Sequence, residues 1–275
     1  MTSWSRPAAA PVSRLPTLLS ACLAAVALAC TAEVEPLPLD GVAAHGGASG
    51  AGSAASGSGG GGLHSLDRER CRAPDGISTS PQSTQQAVQL LNALPKPTTV
   101  ACFVESLARP LSIYATSSRF SAQPARSFIS PRVFIKTGAV WISVVVAGSS
   151  SYLIEFGEVV AGEQERSIKG ELQLPLFDVV APSAPYDRIR DDPGTACRGC
   201  HYDERREDSI PFENAFSSVA FRPRPESRVS IDSLRLQNQS CDWQLEPERC
   251  EMLSALFDGG EVTETSFPIA MPTFF

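Results

Sequence analysis

A long run of small residues limits how much of this chain can fold. Residues 41–63 are almost wholly glycine, alanine and serine, and they include four consecutive glycines at 59–62. Such a segment has little apolar surface to bury and behaves as a flexible coil. We therefore expect residues 30–66 to form a tether, and the last 210 residues or so to supply the folded part, which is long enough for a sizeable core.

The first thirty residues have the order of a secretory leader. Arg6 and Arg14 precede a mostly apolar stretch at 15–29, in which small residues are common. A basic start, an apolar middle and small residues at the cut are typical of a signal peptide. The apolar stretch is too short to cross a membrane as a helix of about 20 residues. We predict that residues 1–29 are removed and that the protein is exported.

The cysteine at the predicted cut resembles the acylated cysteine of bacterial lipoproteins. On this resemblance Cys30 is the lipid attachment site, and Cys22 is its rival within the leader. The prediction is a lipid-anchored protein of the cell envelope, with the outer membrane or the periplasm favoured. Ordinary secretion, with Cys30 incidental, is the alternative.

The folded part is predicted to be an α+β domain that is mainly β. Ser83 begins a capping box, and the apolar residues that follow it lie on one face of a helix that Pro95 ends. A second helix is expected over 247–257, where a proline opens the element. Runs rich in valine, isoleucine and aromatic residues predict strands at 100–107, 111–116, 133–136, 139–146, 152–156 and 167–174.

Short loops between these strands are typical of an antiparallel meander, and hence of a sandwich or a partly open barrel. We place this β-rich domain at residues 67–185. A small, partly helical C-terminal region follows at 186–275. It closes with the apolar segment 267–275, which we expect to dock onto the domain.

Cysteines outside the leader are the best clue to chemistry. Exported thiols are oxidised, bound to metal or attached to a cofactor. Two local disulfides are expected, Cys71 with Cys102 beside the first helix and Cys241 with Cys250 at the start of the last. The six cysteines in question are Cys71, Cys102, Cys197, Cys200, Cys241 and Cys250.

The two cysteines outside these predicted disulfides, Cys197 and Cys200, belong to the sequence Cys197-Arg198-Gly199-Cys200-His201. Two cysteines separated by two residues and followed directly by histidine resemble the attachment motif of c-type cytochromes. The resemblance implies one covalent haem c per chain, held by thioether bonds from Cys197 and Cys200. It also implies that His201 is the proximal ligand of the iron.

A methionine followed by proline is common opposite the histidine in this family. Met271-Pro272 matches that pattern, so the resemblance makes Met271 the distal iron ligand. Met252 is the rival methionine, but its place on the apolar side of a helix is more typical of core packing.

These observations predict an envelope-anchored mono-haem protein for electron transfer or redox sensing, an electron carrier in preference to a catalyst. Its partners would be redox proteins of the cell envelope and the membrane itself. A net charge of −7 and the lack of a basic stripe argue against nucleic acid.

Three alternatives concern the same cysteines. Cys197 and Cys200 could form a structural or redox disulfide, although a thioredoxin-like enzyme would need a βαβ scaffold. The two thiols and His201 could join a further cysteine around zinc. The chain could also be a disulfide-stabilised β-rich lipoprotein that acts as a binding or structural module without a cofactor, with Cys197 and Cys200 bonded to each other.

Overall fold

The structure is a computed structural model, and it describes residues 69–274. The predicted signal peptide and almost all of the predicted tether, with Cys22 and Cys30, lie outside these residues. Nine strands are described: β1 (Leu111–Thr116), β2 (Arg132–Thr137), β3 (Val140–Val145), β4 (Leu153–Val160), β5 (Glu163–Gln173), β6 (Arg205–Arg206), β7 (Phe216–Val219), β8 (Arg228–Val229) and β9 (Val262–Glu264). Five α-helices accompany them: α1 (Thr84–Ala93), α2 (Val100–Glu105), α3 (Ala184–Arg188), α4 (Ile231–Gln239) and α5 (Pro247–Phe257).

The described strands form a single open sheet. Strands β1 to β5 are antiparallel neighbours in chain order, with β7 and then β6 added beyond β5. At the other edge, β8 pairs antiparallel with one end of β1 and β9 pairs parallel with its other end. The α+β, mainly β class is confirmed. The strands after residue 185 extend the edges of the first sheet and build no second layer, so the expected sandwich or barrel is replaced by an open sheet.

The pleat of this sheet gives its two faces different environments. Val140, Ile142 and Val144 of β3 point into the main apolar core, which α1, α2 and α5 cover. Trp141 and Ser143 point to the opposite face because successive side chains of a strand alternate. Every residue of β3 is buried. The strand is therefore central, with helices on one side and a second, more polar layer on the other.

Local capping explains where the first two helices begin. The Ser83 hydroxyl accepts a hydrogen bond from the backbone N–H of Gln86 at 3.3 Å, as the capping box predicts. The expected strand at 100–107 is wrong, because Val100–Glu105 form α2. Thr99 caps this helix by accepting from the N–H of Cys102 at 3.1 Å. Burial of α2 against the core outweighs the strand propensity of its valines and phenylalanine.

Two disulfides brace the helical side of the sheet, and they join the pairs that the sequence suggested. Cys71–Cys102 ties the start of the described chain to α2, and Cys241–Cys250 closes the connection between α4 and α5. Burial of Cys71, Cys102 and Cys250 places both crosslinks in or beside the main core.

The two crosslinks should differ in their effect on stability because they close loops of different length. Sequence separations of 31 and 9 residues correspond to about 3.7 and about 2.6 kcal/mol of restricted unfolded-state entropy. We expect the double substitution of Cys71 and Cys102 by serine to lower the free energy of unfolding more than the matched substitution of Cys241 and Cys250. Urea denaturation of both variants measures this difference, and the opposite order would contradict it.

Candidate functional site

A cleft lies on the face of the sheet that the helices leave open. Its volume is about 320 Å³, near the lower end of the range for small-molecule sites, which matches a ligand with one or two rings. Strands β2 to β5 supply much of its floor. Aromatic residues in the lining whose side chains lie outside the main core are Phe120, Phe134, Trp141, Phe221 and Phe274. Ionisable or nucleophilic side chains in the lining are Arg132, Glu155, Lys169, Glu171, Arg188, Cys197, Cys200, His201 and Arg222.

A glycine opens the centre of the cleft floor. Trp141, Gly157 and Lys169 are successive cross-strand partners on β3, β4 and β5. The outer two residues are about 10 Å apart, since neighbouring strands lie about 4.8 Å apart. Because Gly157 carries no side chain, the space between the indole of Trp141 and the side chain of Lys169 stays open.

An ion pair fixes the polar side of the floor. The Arg132 guanidinium pairs with the Glu155 carboxylate, and its Nε donates to Ser143 Oγ. Ser143 Oγ in turn donates to Gln123 Oε1 at 2.9 Å, and Gln123 Nε2 donates to the backbone oxygen of Leu153 at 2.8 Å. Burial lowers the pKa of Arg132, and the charge of Glu155 raises it. The network holds a partly buried pair of opposite charges in one orientation.

A second ion pair lies at the edge of the cleft. Arg188, at the end of α3, donates from Nε to the Glu171 carboxylate at 2.7 Å. Burial raises the pKa of Glu171, and the hydrogen bond from Arg188 lowers it. The two acidic side chains of the cleft lining, Glu155 and Glu171, are therefore each paired with an arginine.

Lys169 differs from these paired groups. It forms no salt bridge with any described residue, and its Nζ donates one hydrogen bond, to Ser167 Oγ at 2.7 Å. Burial lowers the pKa of Lys169 to about 8, with Cys197 and Glu155 acting in the opposite direction and Arg132 reinforcing the effect of burial. At neutral pH the side chain is a cation with a substantial neutral fraction.

The C-x-x-C-H segment forms a capped turn beside this lysine. Ala196–Gly199 is a short 3-10 helix, which Thr195 caps by accepting from the N–H of Cys197 at 3.2 Å. The N–H groups of Cys200 and His201 both donate to the Cys197 carbonyl, at 3.1 and 2.8 Å. The turn brings both thiols and the imidazole to the cleft, so the structure does place these three predicted site residues together.

The environment keeps the imidazole and one thiol of this segment uncharged. The backbone oxygen of Val219 lies 2.8 Å from Nδ1 of His201, and since a carbonyl only accepts, Nδ1 carries the proton. Burial, with a smaller effect of Lys169, lowers the pKa of His201 to about 3. Burial raises the pKa of Cys197 to about 11, and the charge of Lys169 opposes that rise. At neutral pH, His201 is a neutral imidazole and Cys197 a thiol.

The predicted haem c at this segment is wrong, and so are the predictions of iron binding and of a cytochrome. Within residues 69–274, no group of three or more histidine, cysteine, aspartate and glutamate side chains is placed to hold a metal ion. The zinc alternative fails for the same reason, because the other four cysteines of this part form the two disulfides. The resemblance extended over five residues, and the surrounding chain builds an antiparallel sheet.

Met271 does not take part in the cleft. It is 2% exposed and packs in an apolar cluster with Trp141, Ala220 and Phe267. Because the haem prediction is wrong, the predicted role of Met271 as an iron ligand is wrong as well. The expected docking of the C-terminal segment is confirmed: the Phe267 ring stacks on Trp141 with centroids 4.1 Å apart, and Phe274 packs edge-on against Phe221 at 5.2 Å.

The disulfide expected between Cys197 and Cys200 in the alternative hypothesis is not formed.

The sequence analysis did not identify three charged residues of the sheet as parts of a site, namely Arg132, Glu155 and Lys169. Their signal was present in the alternation of each strand, since a charged residue between buried apolar neighbours points to the opposite face. The sequence of a single strand does not indicate that three such residues lie close together across the sheet.

Comparison of this chain with models of protein families, with curated proteins and with solved structures finds no match. The function of this cleft is therefore inferred from its own geometry and chemistry. The best-supported description at this level is a disulfide-stabilised, β-rich domain with a small cleft that is both aromatic and charged.

The neutral state of His201 predicts a loss of stability in acid. The unfolded chain protonates this histidine near pH 6.5, whereas the folded chain resists protonation down to about pH 3, so lower pH favours unfolding. We expect His201→Gln to make the free energy of unfolding less dependent on pH, by at most about 1.4 kcal/mol per pH unit below pH 6.5. Urea denaturation of both proteins at pH 7 and pH 5 measures it. If the free energy of unfolding fell equally in the two proteins between pH 7 and pH 5, the neutral state assigned to His201 would be contradicted.

Proposed function

We propose that this protein is an exported binding module whose cleft holds a small organic anion with a flat apolar body. The observation that carries the proposal is Lys169, a cationic side chain without a carboxylate partner on the floor of an aromatic-lined cleft. Charges that are even partly withdrawn from water in proteins are normally paired, and Lys169 is partly buried. An anionic ligand would supply the missing charge.

The charge of the cleft lining supports this choice of ligand. It contains four cationic side chains, Arg132, Lys169, Arg188 and Arg222, against the two carboxylates Glu155 and Glu171. The whole chain, in contrast, has a net charge of −7. A local surplus of positive charge in an acidic protein favours an anion at this place.

The aromatic lining supports a flat apolar body. Phe134 and Trp141 stand on neighbouring strands of the floor, and Phe221 and Phe274 contribute from later segments. Aromatic rings favour flat partners, since stacked and edge-on arrangements both add to the burial of area. A ligand with one or two rings would lie over Gly157 and direct its anionic group to Lys169.

The proposed place of action is outside the cytoplasm. The two disulfides are typical of exported proteins, and the leader pattern and the cysteine at its end favour a lipid anchor. Within residues 69–274, no helix is long and apolar enough to cross a membrane. A module that collects a ligand at the cell envelope accounts for the predicted order of leader, tether and domain.

The first test concerns the ligand class. We expect naphthoate to bind with a stoichiometry of one, and the neutral isostere naphthamide to bind at least about tenfold more weakly, since a charge-assisted hydrogen bond contributes about 1.5–3 kcal/mol. Lys169→Gln should remove most of this preference, and the matched substitution Lys136→Gln, at an exposed lysine outside the cleft, should retain it. Isothermal titration calorimetry measures the stoichiometry and the affinities of naphthoate and naphthamide for each protein. Equal affinity for the two compounds in the unsubstituted protein would contradict the proposal.

The second test concerns the anchor. In cells given radiolabelled palmitate, the full chain should incorporate label, Cys30→Ser should abolish incorporation, and Cys22→Ser should leave it intact. The reason is that acylation requires the sulfur of the cysteine that becomes the mature N-terminus. Label that persists in Cys30→Ser and disappears in Cys22→Ser would assign the anchor to Cys22. No label in the full chain would indicate ordinary secretion.

A further inference from the structure

We propose that Lys169 forms an imine with an aldehyde or ketone carbonyl carried by the ligand of the cleft. This inference rests on the proposed function, because the ligand must first occupy the cleft. In a ligand that carries a carbonyl, this group takes the place of the anionic group near Nζ, and the anionic group lies toward Arg222, which also lines the cleft and forms no salt bridge with a described residue. It adds a covalent step to reversible binding and names the reactive group of the ligand.

The surroundings of the amine favour this reaction. Nζ of Lys169 donates one hydrogen bond, to the Ser167 hydroxyl, and no described carboxylate holds it as a salt bridge. Its cross-strand partner Gly157 leaves the space beside it open, and the side chain is only partly buried, so a carbonyl carbon can reach it from the cleft. Burial lowers the pKa of Lys169 to about 8, which provides the neutral amine that attacks carbonyls.

The reaction balances without an oxidant or a reductant. The amine nitrogen adds to the carbonyl carbon to give a carbinolamine, and loss of one water then forms the C=N bond. A proton moves from nitrogen to the departing oxygen during this step. Solvent water carries that proton, because His201, which lines the same cleft, resists protonation down to about pH 3. The imine reverses on addition of water.

The other lysines of the chain lack these features. The sequence contains three lysines, Lys96, Lys136 and Lys169. Burial lowers the pKa of Lys96 as well, but this residue lies outside the cleft lining, and its Nζ donates to several backbone oxygens, among them Leu91 at 2.7 Å and Leu94 at 3.2 Å. Lys136 is exposed, with its Nζ 5.7 Å from the ring of Trp141. These two residues are therefore internal controls in one and the same protein.

The test uses para-carboxybenzaldehyde, which combines a flat ring, an anion and an aldehyde. The full mature chain is incubated with this probe and cyanoborohydride at pH 7, and label on the three lysines is compared by peptide mass spectrometry. We expect Lys169 to carry at least tenfold more label than Lys136. Burial lowers the pKa of Lys169 to about 8, which gives this amine a larger neutral fraction at pH 7 than a lysine side chain ordinarily has, and a less basic amine is only somewhat less nucleophilic. Excess naphthoate should lower the label on Lys169 and leave that on Lys136 unchanged.

A variant that keeps the lysine tests the role of the cleft. Gly157→Val places a side chain between Trp141 and Lys169, and the nearest atom to a new Cβ, Ser167 Oγ, lies at 3.5 Å, an ordinary contact. We expect label on Lys169 to fall at least about tenfold while Lys136 is labelled as before, with circular dichroism to confirm folding. If this variant does not fold, competition by naphthoate decides the same question.

The outcomes separate the two proposals. If calorimetry shows that the probe and naphthoate compete for one site, but label is no greater on Lys169 than on Lys136, the imine inference is overturned and the proposed function stands. If neither compound binds and Lys169 is not preferred, both are overturned. Preferential label on Lys169 that naphthoate suppresses supports both.

Discussion

The alternation of side chains along a pleated strand is the constraint on which this structure depends. It sends Val140, Ile142 and Val144 into the helical core and leaves the intervening positions to a separate layer. One set of strands therefore supports two kinds of surface. The helical face can be packed for stability alone, and the cleft face is free to carry charged side chains such as Arg132 and Lys169, which a core would not tolerate.

The energetic roles of the two faces differ accordingly. Apolar burial and the two disulfides stabilise the helical side, where α1, α2 and α5 pack. On the cleft side, the partly buried pair of Arg132 and Glu155 contributes little net stability, because desolvation of both charges offsets their attraction. Burial also disfavours the charged form of Lys169. Groups that do not stabilise the fold are candidates for function.

Much of the fold could be predicted from local pattern, and little of the site. The cap at Ser83 and the runs of valine, isoleucine and aromatic residues identified most elements, because both signals lie within a few residues. The helix Val100–Glu105 was taken for a strand because its valines and phenylalanine favour strands and only its packing selects a helix. The haem prediction failed because five residues at 197–201 were interpreted without the sheet beside them. Lys169 was missed because its significance arises from neighbours on other strands.

The most direct measurement of the central claim is the titration of the lysine side chains by nuclear magnetic resonance. With isotope-labelled lysine, the three residues give three side-chain signals. The account predicts that Lys169, assigned by substitution, titrates near pH 8 and that naphthoate raises its pKa, because an anion in the cleft favours the charged amine. A Lys169 signal that titrates near the usual value of about 10.4, or that does not respond to the anion, would contradict it.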